Sequence, residues 1–236
     1  MSKRTGLTTN GCYAAELLDC DGGPTTREHA ASEGLLERFG RTFVVKGTPH
    51  GEAVTRTPKS MAARVLCERH NGALSPFDTE LQRLYDVCND ARDGKAIGWR
   101  TLNGHHIERA AIKFLFANAA SGIMRPKDGE PPTKIIPDLA WLRLVFDGER
   151  FGAFCGFYLV DEPADPDAEF RVTYNTTNND HPNPDALSGV TMQLVDLVFR
   201  VSLIPFVDYT GYRPATVPLQ DNGGVNFTWN EEESST

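Results

Sequence analysis

The chain has 236 residues, of which 40% are hydrophobic and 24% are charged, and its formal net charge at pH 7 is −8. This length is sufficient for one large domain or two modest ones with a real core. No apolar stretch reaches the roughly 18 residues that a membrane-spanning helix needs. Since Met1–Arg4 is not followed by an apolar run, no signal peptide is expected. We therefore predict a cytoplasmic protein without a membrane segment.

Five cysteines are thinly spread along the chain. An odd number in a reducing compartment favours metal ligands and buried thiols over a disulfide framework. Cys67-x2-His70 can hold a metal from a single turn, and Cys12 and Cys20 supply two further thiols. Together these four ligands suit tetrahedral zinc, although Cys12-x7-Cys20 is wider than the two to four intervening residues of a tight knuckle. The alternative is a set of unrelated thiols with a surface histidine.

Residues 5–80 are rich in glycine, threonine and turn residues, with short apolar runs such as 42–45. The segment 38–69 carries seven basic residues against two acidic ones. Such a cluster can attract phosphate. We single out Arg56, Lys59 and Arg64 as candidate nucleic-acid contacts, while the alternative is a solvated face.

Two helices follow. Apolar spacings of three and four predict one helix from Ser75 through Cys88, which ends before a polar turn over 90–95. The same rhythm predicts a stronger helix from Ile107 to Ala119, stopped by Gly122, with Asn103-Gly104 as a turn before it. Residues 125–137 contain four prolines and are the clearest candidate linker.

The remainder is predicted to be rich in strands. Residues 141–146 and 151–160 are expected to form a hairpin joined at Asp147-Gly148. Further strands are predicted over 170–174, 191–206 and 225–229. Cys88 and Cys155 lie in apolar patterns and are expected to be buried thiols.

Several of these residues carry a resemblance to a known family. Cys20, the Glu28-His29 pair and the run Leu66–Asn71 resemble the HNH endonuclease superfamily, the ββα-metal nucleases, over roughly residues 12–78. In that family an acidic residue beside a histidine precedes a knuckle that opens a helix. The resemblance implies that His29 deprotonates the water that attacks a phosphodiester. It also implies that Glu28 and Asn71 lie near a catalytic Mg²⁺ or Mn²⁺, while a separate zinc is structural.

The chain departs from the family pattern at three positions. Ser32 stands where a proline is usual, Ala62 where the middle asparagine is usual, and Leu74 where a lysine is frequent. His70 also replaces the commoner second cysteine of the knuckle. The zinc ligands therefore match the family better than the catalytic residues do.

The resulting prediction is an α+β protein. A small zinc-stabilised, ββα-metal-like module (1–80) is joined through a helical connector (81–124) to a helix-plus-antiparallel-sheet C-terminal domain with an acidic tail (125–236). Three functions remain open: a metal-dependent endonuclease, an inactive zinc module that binds nucleic acid or protein, and a structural or assembly protein. In the last case the C-terminal domain would contact a protein partner or a second copy of the chain.

Overall fold

The structure, a computed structural model, describes residues 4–29, 33–38, 43–46, 53–122, 137–166, 168, 170–177, 187–205 and 211–229. Within these ranges the side chains of Glu28, His29, 43–46, 53–56, Pro58 and Thr176 lie outside the description. The fold is mixed α+β, as predicted from the sequence. The candidate linker over 125–137 lies outside the described residues apart from Pro137.

The described residues of the N-terminal part form four strands and three α-helices. In chain order these are β1 (Thr25–His29), α1 (Glu33–Arg38), β2 (Phe43–Lys46), β3 (Ala53–Arg56), β4 (Ala62–Cys67), α2 (Glu68–Ala73) and α3 (Ser75–Arg92). Strands β1 and β4 form a two-stranded antiparallel sheet in which Thr25 pairs with Cys67 and His29 with Ala62. Because α2 begins directly after β4, the elements β1, β4 and α2 form a strand–strand–helix unit.

A long buried helix forms the centre of the molecule. Strand β5 (Trp99–Asn103) leads into α4 (Gly104–Ser121), which packs against both β4 and the C-terminal sheet. The side chain of Asn103 accepts a hydrogen bond from the His106 N–H at 3.2 Å, and Gly122 ends the helix at a φ of 72°. The predicted helices α3 and α4 are confirmed. Asn103-Gly104, predicted to be a turn, is instead the N-terminal cap of α4.

After α4, the described residues form one helix and six strands. These are α5 (Leu139–Phe146), β6 (Gly156–Leu159), β7 (Phe170–Thr176), β8 (Leu187–Leu194), β9 (Leu197–Ser202), β10 (Thr216–Gln220) and β11 (Gly223–Thr228). A six-stranded sheet runs in the order β3-β2-β7-β8-β9-β6, antiparallel except where β2 pairs with β7. A second sheet, β10-β11-β5, pairs β11 in parallel with β5.

The predicted hairpin of 141–146 with 151–160 is wrong, although its second arm contains the strand β6. Leu139–Phe146 is the helix α5, in which the side chain of Asp138 accepts a hydrogen bond from Ala140 N–H at 2.8 Å. Leu142 and Val145 are buried three residues apart, as a helix requires. A short apolar run does not distinguish a strand from a buried helix, and the capping aspartate decides here.

The strand predicted over 191–206 is in fact the end of β8, a tight turn and β9. Val195 adopts a positive φ of 56° at this turn, and Leu194 pairs with Leu197 across it. Valine is unfavourable at positive φ, so the residue gives no sequence signal for a turn. The predicted strands over 170–174 and 225–229 are confirmed as β7 and most of β11.

The core lies between α4 and the six-stranded sheet. Phe114 of α4 packs against Phe170 and Tyr174 of β7, with ring centres 5.9 and 6.3 Å apart. Cys88 and Cys155 are buried, as predicted, and burial raises the pKa of Cys88 to about 12. Among the helices that the structure describes, none has the length and apolar character to cross a membrane.

Candidate metal centre

Four buried side chains converge between η1, the 3₁₀ turn Ala15–Leu17, and the start of α2. The ligand atoms of Cys12, Cys20, Cys67 and His70 all lie within 4.8 Å of one another. All four side chains are buried, and His70 is only 3% exposed. The structure therefore brings together the four residues that the sequence predicted as metal ligands.

The junction between β4 and α2 supplies two of these ligands. Cys67 is the last residue of β4 and the N-cap of α2, and His70 lies one helical turn later. Their Sγ and Nδ1 atoms are 3.2 Å apart. Residues three apart on a helix face the same side, so the strand-to-helix transition by itself aims both ligands at one point.

A compact loop brings the other two thiols together despite their wide spacing. The turn η1 lies between Cys12 and Cys20, and Leu18 follows it in the left-handed conformation with a φ of 54°. Cys20 N–H then donates to the Leu7 carbonyl at 3.0 Å, which returns the chain to the segment that precedes Cys12. The seven intervening residues thus form a folded turn that presents both thiols on one side.

This loop is attached to the knuckle by three contacts. Tyr13 N–H donates to the Val65 carbonyl of β4 at 2.9 Å. Arg69 N–H, at the start of α2, donates to the Asp21 carboxylate at 3.1 Å, and the Arg69 guanidinium pairs with Asp19 at 2.9 Å. The two ligand pairs are therefore held in register by protein contacts on both sides of the cluster.

The distances within the cluster fit tetrahedral zinc. Zinc bonds of about 2.3 Å to sulfur and about 2.0 Å to nitrogen, at tetrahedral angles, place sulfur and nitrogen about 3.5 Å apart. The distances from His70 Nδ1 to the Sγ atoms of Cys67, Cys12 and Cys20 are 3.2, 3.5 and 3.8 Å. They are centred on the expected value, and three thiols with one imidazole form a donor set that suits zinc.

Burial favours the uncharged form of these ligands. It raises the pKa of Cys12 to about 12 and raises the pKa of Cys20 above its ordinary value. Burial also lowers the pKa of His70. Thiolates bind metal and thiols do not, so a divalent cation would supply the charge that makes ionised thiols stable in this buried site.

The orientation of His70 is also suited to a ligand. Its Nδ1 faces the three thiols, and its ring packs edge-on against Phe146 with centres 4.9 Å apart. Among the described residues, the buried Nε2 atom has no hydrogen-bond partner. A cavity of about 360 Å³ beside it is lined by two ion pairs, Arg4 with Asp147 and Arg69 with Asp19. Carboxylates near the second ring nitrogen are common beside metal-bound histidines.

The predicted catalytic residues lie next to this cluster along the chain. The backbones of Glu28 and His29 form the end of β1, and their side chains lie outside the described part of the structure. Asn71 lies on α2, and its side-chain amide donates to the Thr26 hydroxyl of β1 at 3.3 Å. That contact ties the helix to the strand that carries His29. The structure thus describes one of the three predicted catalytic side chains.

The predicted basic contacts divide into exposed and paired residues. Lys59 and Arg64 are exposed, and the Arg64 guanidinium donates to the Thr25 carbonyl at 3.3 Å. The side chain of Arg56 lies outside the description. Arg38 and Arg69 form ion pairs with Asp86 and Asp19, so not all of the basic excess counted in the sequence is available for phosphate.

Sequence reasoning missed the residues that support the cluster. Asp19 and Asp21 flank Cys20, and Arg69 lies inside the knuckle, so their opposite charges were a readable signal that the two halves meet. It also missed the role of His105, which contacts Glu108 at 3.1 Å and the Trp229 carbonyl at 2.9 Å. His105 therefore ties the start of α4 to the residue that follows β11.

Comparison with protein-family models, with curated proteins and with solved structures finds no match for this chain. The geometry of the Cys₃His cluster and its neighbouring strands is therefore the basis for a functional proposal.

Proposed function

We propose that this protein is a zinc-stabilised, HNH-type endonuclease that hydrolyses phosphodiester bonds with the help of a second divalent cation. One observation carries the proposal. The Cys₃His cluster lies at the junction of β4 and α2, and β4 pairs with the strand that ends in Glu28-His29. A strand–strand–helix unit with this order of residues is what the resemblance to ββα-metal nucleases implies.

Zinc is the metal that the cluster suits best. Its three sulfurs and one nitrogen are soft or borderline ligands, whereas Mg²⁺ and Ca²⁺ prefer oxygen. Four protein ligands would complete a tetrahedral shell and leave no open position for a bound water or substrate, which is typical of a structural site rather than a catalytic one. The zinc would hold the N-terminal loop against α2.

The catalytic roles are assigned from the resemblance. His29 would accept the proton of the attacking water, which a neutral imidazole can do near pH 7. The carbonyl oxygen of Asn71 and the carboxylate of Glu28 are ligand types that Mg²⁺ and Mn²⁺ accept. Such an ion would stabilise the charge that develops on the leaving oxygen. The contact from Asn71 to Thr26 supports this arrangement, because it uses the amide nitrogen and keeps the carboxamide beside β1.

The exposed cations near β1 and β4 support a nucleic-acid substrate. Arg27, Lys59 and Arg64 are exposed, and the Arg27 guanidinium lies 3.5 Å from the Lys59 carbonyl. Cations grouped in this way contact phosphates without reading sequence. We propose that these cations bind the phosphate backbone of the nucleic-acid strand that is cleaved.

A second candidate is a zinc module that binds nucleic acid without cleaving it. It is favoured by Ala62, which pairs with His29 in the β-sheet register and has no polar atom to orient that histidine. The two candidates differ in a single measurable property, which is cleavage.

The deciding experiment incubates zinc-loaded protein with plasmid DNA and with structured RNA in the presence of Mg²⁺ or Mn²⁺. Under the first proposal the wild type cleaves at least one substrate, and His29→Ala abolishes cleavage while it retains zinc and substrate binding. Binding without cleavage by the wild type would select the second candidate. Neither binding nor cleavage would reject both.

A further inference from the structure

A polar pocket lies on the face of the six-stranded sheet that is opposite to α4. Helix α4 and the sheet lie between this pocket and the candidate metal centre. Side chains alternate along a strand, and Phe170 and Tyr174 of β7 face α4. Arg171 and Asn175 therefore lie on the opposite face. A cavity of about 250 Å³ opens there, lined in part by Glu162, Arg171, Asn175, Thr191, Gln193 and Arg200.

The floor of this pocket is held in place by hydrogen bonds between strands. Thr191 of β8 pairs with Arg200 of β9 in the sheet register. Arg200 Nε donates to the Thr191 hydroxyl at 3.1 Å, and the Asn175 carboxamide lies 3.0 Å from the same hydroxyl. Thr191 is only 9% exposed, so this contact is shielded from water. The Arg200 guanidinium is thus oriented in advance.

The buried side chain of Gln193 attaches one wall of the pocket to its floor. Gln193 is 3% exposed. Its Oε1 accepts from Asp165 N–H at 2.9 Å, and its Nε2 lies 2.8 Å from the Asp165 carbonyl and 2.7 Å from that of Ala168. These bonds hold the segment 161–166 over the sheet. A wall and a floor that are fixed before binding lower the entropy cost of holding a ligand.

The charges in the pocket favour a negatively charged ligand. Arg171 and Arg200 contribute two guanidinium groups. Burial lowers the pKa of Arg200, and the nearby Glu162 carboxylate acts in the opposite direction. Arg171 lies 3.9 Å from the Asp165 carboxylate, and both side chains are more than a third exposed, so this ion pair is loose.

We propose that this pocket binds an oxyanion, the phosphate of a monoester or the carboxylate of a small acid, between Arg171 and Arg200. Guanidinium groups present paired N–H donors that match two oxygens of either anion. The Thr191 hydroxyl and the Asn175 amide border the same space and supply neutral hydrogen-bonding groups. Helix α4 and the sheet itself separate the pocket from the Cys₃His cluster, so this site does not depend on the proposed nuclease activity.

The test titrates the full-length protein with inorganic phosphate and, separately, with acetate, followed by calorimetry and by the ¹⁵Nε–¹H NMR signals of arginine. Saturable binding of either anion is expected. Arg200→Gln should weaken it by about tenfold or more, as expected for the loss of a charge-assisted hydrogen bond. Arg100→Gln, which removes an exposed arginine on β5, is the matched control and should leave binding unchanged. Preference for phosphate or for acetate identifies the class of anion.

A second variant acts in the opposite direction and cannot be imitated by misfolding. Glu162 is exposed and places a negative charge at the pocket, so Glu162→Gln should tighten anion binding several-fold. Glu149→Gln removes an exposed acid elsewhere and should have no effect. Absence of saturable binding by both anions overturns the proposal. So does binding that is insensitive to Glu162→Gln, whether or not Arg200→Gln folds.

Discussion

Ala62 on β4 is the direct partner of His29 on β1 in the antiparallel register of the two strands. Under the HNH resemblance, position 62 corresponds to an asparagine that helps to orient the catalytic loop. Alanine has no hydrogen-bonding side chain, so position 62 contributes only shape at this point. A substitution at position 62 is therefore the most direct way to distinguish an active nuclease site from a module that keeps the fold without the activity.

We expect Ala62→Asn to raise metal-dependent cleavage above that of the wild type. A misplacement of a catalytic group by about 1 Å can cost on the order of a hundredfold in rate, and an amide opposite His29 would restrict its movement. The measurement is the initial rate of plasmid or RNA cleavage in Mn²⁺. Ala62→Ser is the control for size, and an increase that survives in the Ala62→Asn/His29→Ala double variant would contradict the assigned role of His29.

The metal centre makes a prediction about stoichiometry. Purified protein should contain one zinc per chain. Cys67→Ser should lower its metal affinity by more than about a hundredfold, because loss of a residue that only hydrogen-bonds to a metal ligand can already lower the affinity by up to that factor. Elemental analysis gives the stoichiometry. Cobalt substitution should give the thiolate charge-transfer bands of a tetrahedral site. Cys155→Ser, which removes a buried thiol outside the cluster, should keep full metal content.

Removal of the metal should also destabilise the N-terminal loop. Structural zinc contributes folding free energy of about 10 kcal/mol or more in small zinc modules. A chelator should therefore lower the thermal midpoint and increase hydrogen exchange first in residues 5–20, which contact α2 through the cluster. If hydrogen exchange in residues 5–20 is the same in the zinc-loaded and the chelated protein, the contacts of Arg69 with Asp19 and Asp21 are sufficient to hold the loop without metal.

Binding to nucleic acid should depend on salt through the exposed cations near β1 and β4. For duplex DNA, the logarithm of the affinity falls linearly with the logarithm of the salt concentration. Each phosphate contact adds about 0.9 to the magnitude of this slope. The double variant Lys59→Glu/Arg64→Glu should lower this slope by about 2 and weaken binding to all sequences alike. Arg92→Glu, on the exposed end of α3, is the control. A slope that is unchanged in the double variant would place the contact elsewhere.

The ion pair between the buried Lys113 of α4 and the partly buried Asp78 of α3 predicts a pH-dependent loss of stability. The two groups are 2.7 Å apart, and Lys113 is 1% exposed. Burial raises the pKa of Asp78 although Lys113 acts to lower it. A raised pKa means that Asp78 contributes stability below its unfolded pKa, and that this stability is lost as pH rises through the folded value.

Lys113→Met should therefore destabilise the fold by about 3 kcal/mol near neutral pH, because it leaves a buried carboxylate without its cation. The loss should shrink in mild acid, where Asp78 is protonated, and Lys113→Met/Asp78→Leu should recover most of it. Urea unfolding at both pH values measures these differences. Lys95→Met breaks an exposed pair with Asp90 of the same 2.7 Å length and should have little effect.

The elements that the sequence predicted correctly are those whose signals are local. Helices α3 and α4 are long enough for a 3.6-residue rhythm to be read, and Gly122 marks the end of α4. The knuckle ligands Cys67 and His70 are three residues apart, so their geometry follows from the start of one helix. Helix α5 was missed because a short apolar run is equally consistent with a strand.

The residues of the sheet pocket could not have been predicted, because their proximity depends on strand order. Arg171 and Arg200 lie on β7 and β9, and only the position of β8 between those strands brings them to one pocket. The segment around Glu162 is acidic, and an acidic run of this kind is equally typical of an exposed loop. Gln193 holds this loop against the sheet through bonds that no spacing in the sequence reveals.

The sequence by itself determined the donor set of the candidate metal site, since three thiols and an imidazole favour a soft or borderline divalent ion such as zinc wherever they meet. It also determined the α+β class through its two hydrophobic periods. Only the tertiary structure decided that Cys12 and Cys20 reach the knuckle, because closure of that loop requires the left-handed Leu18 and contacts with β4 and α2. It alone set Ala62 opposite His29, since strand register depends on packing across the sheet and not on either strand alone.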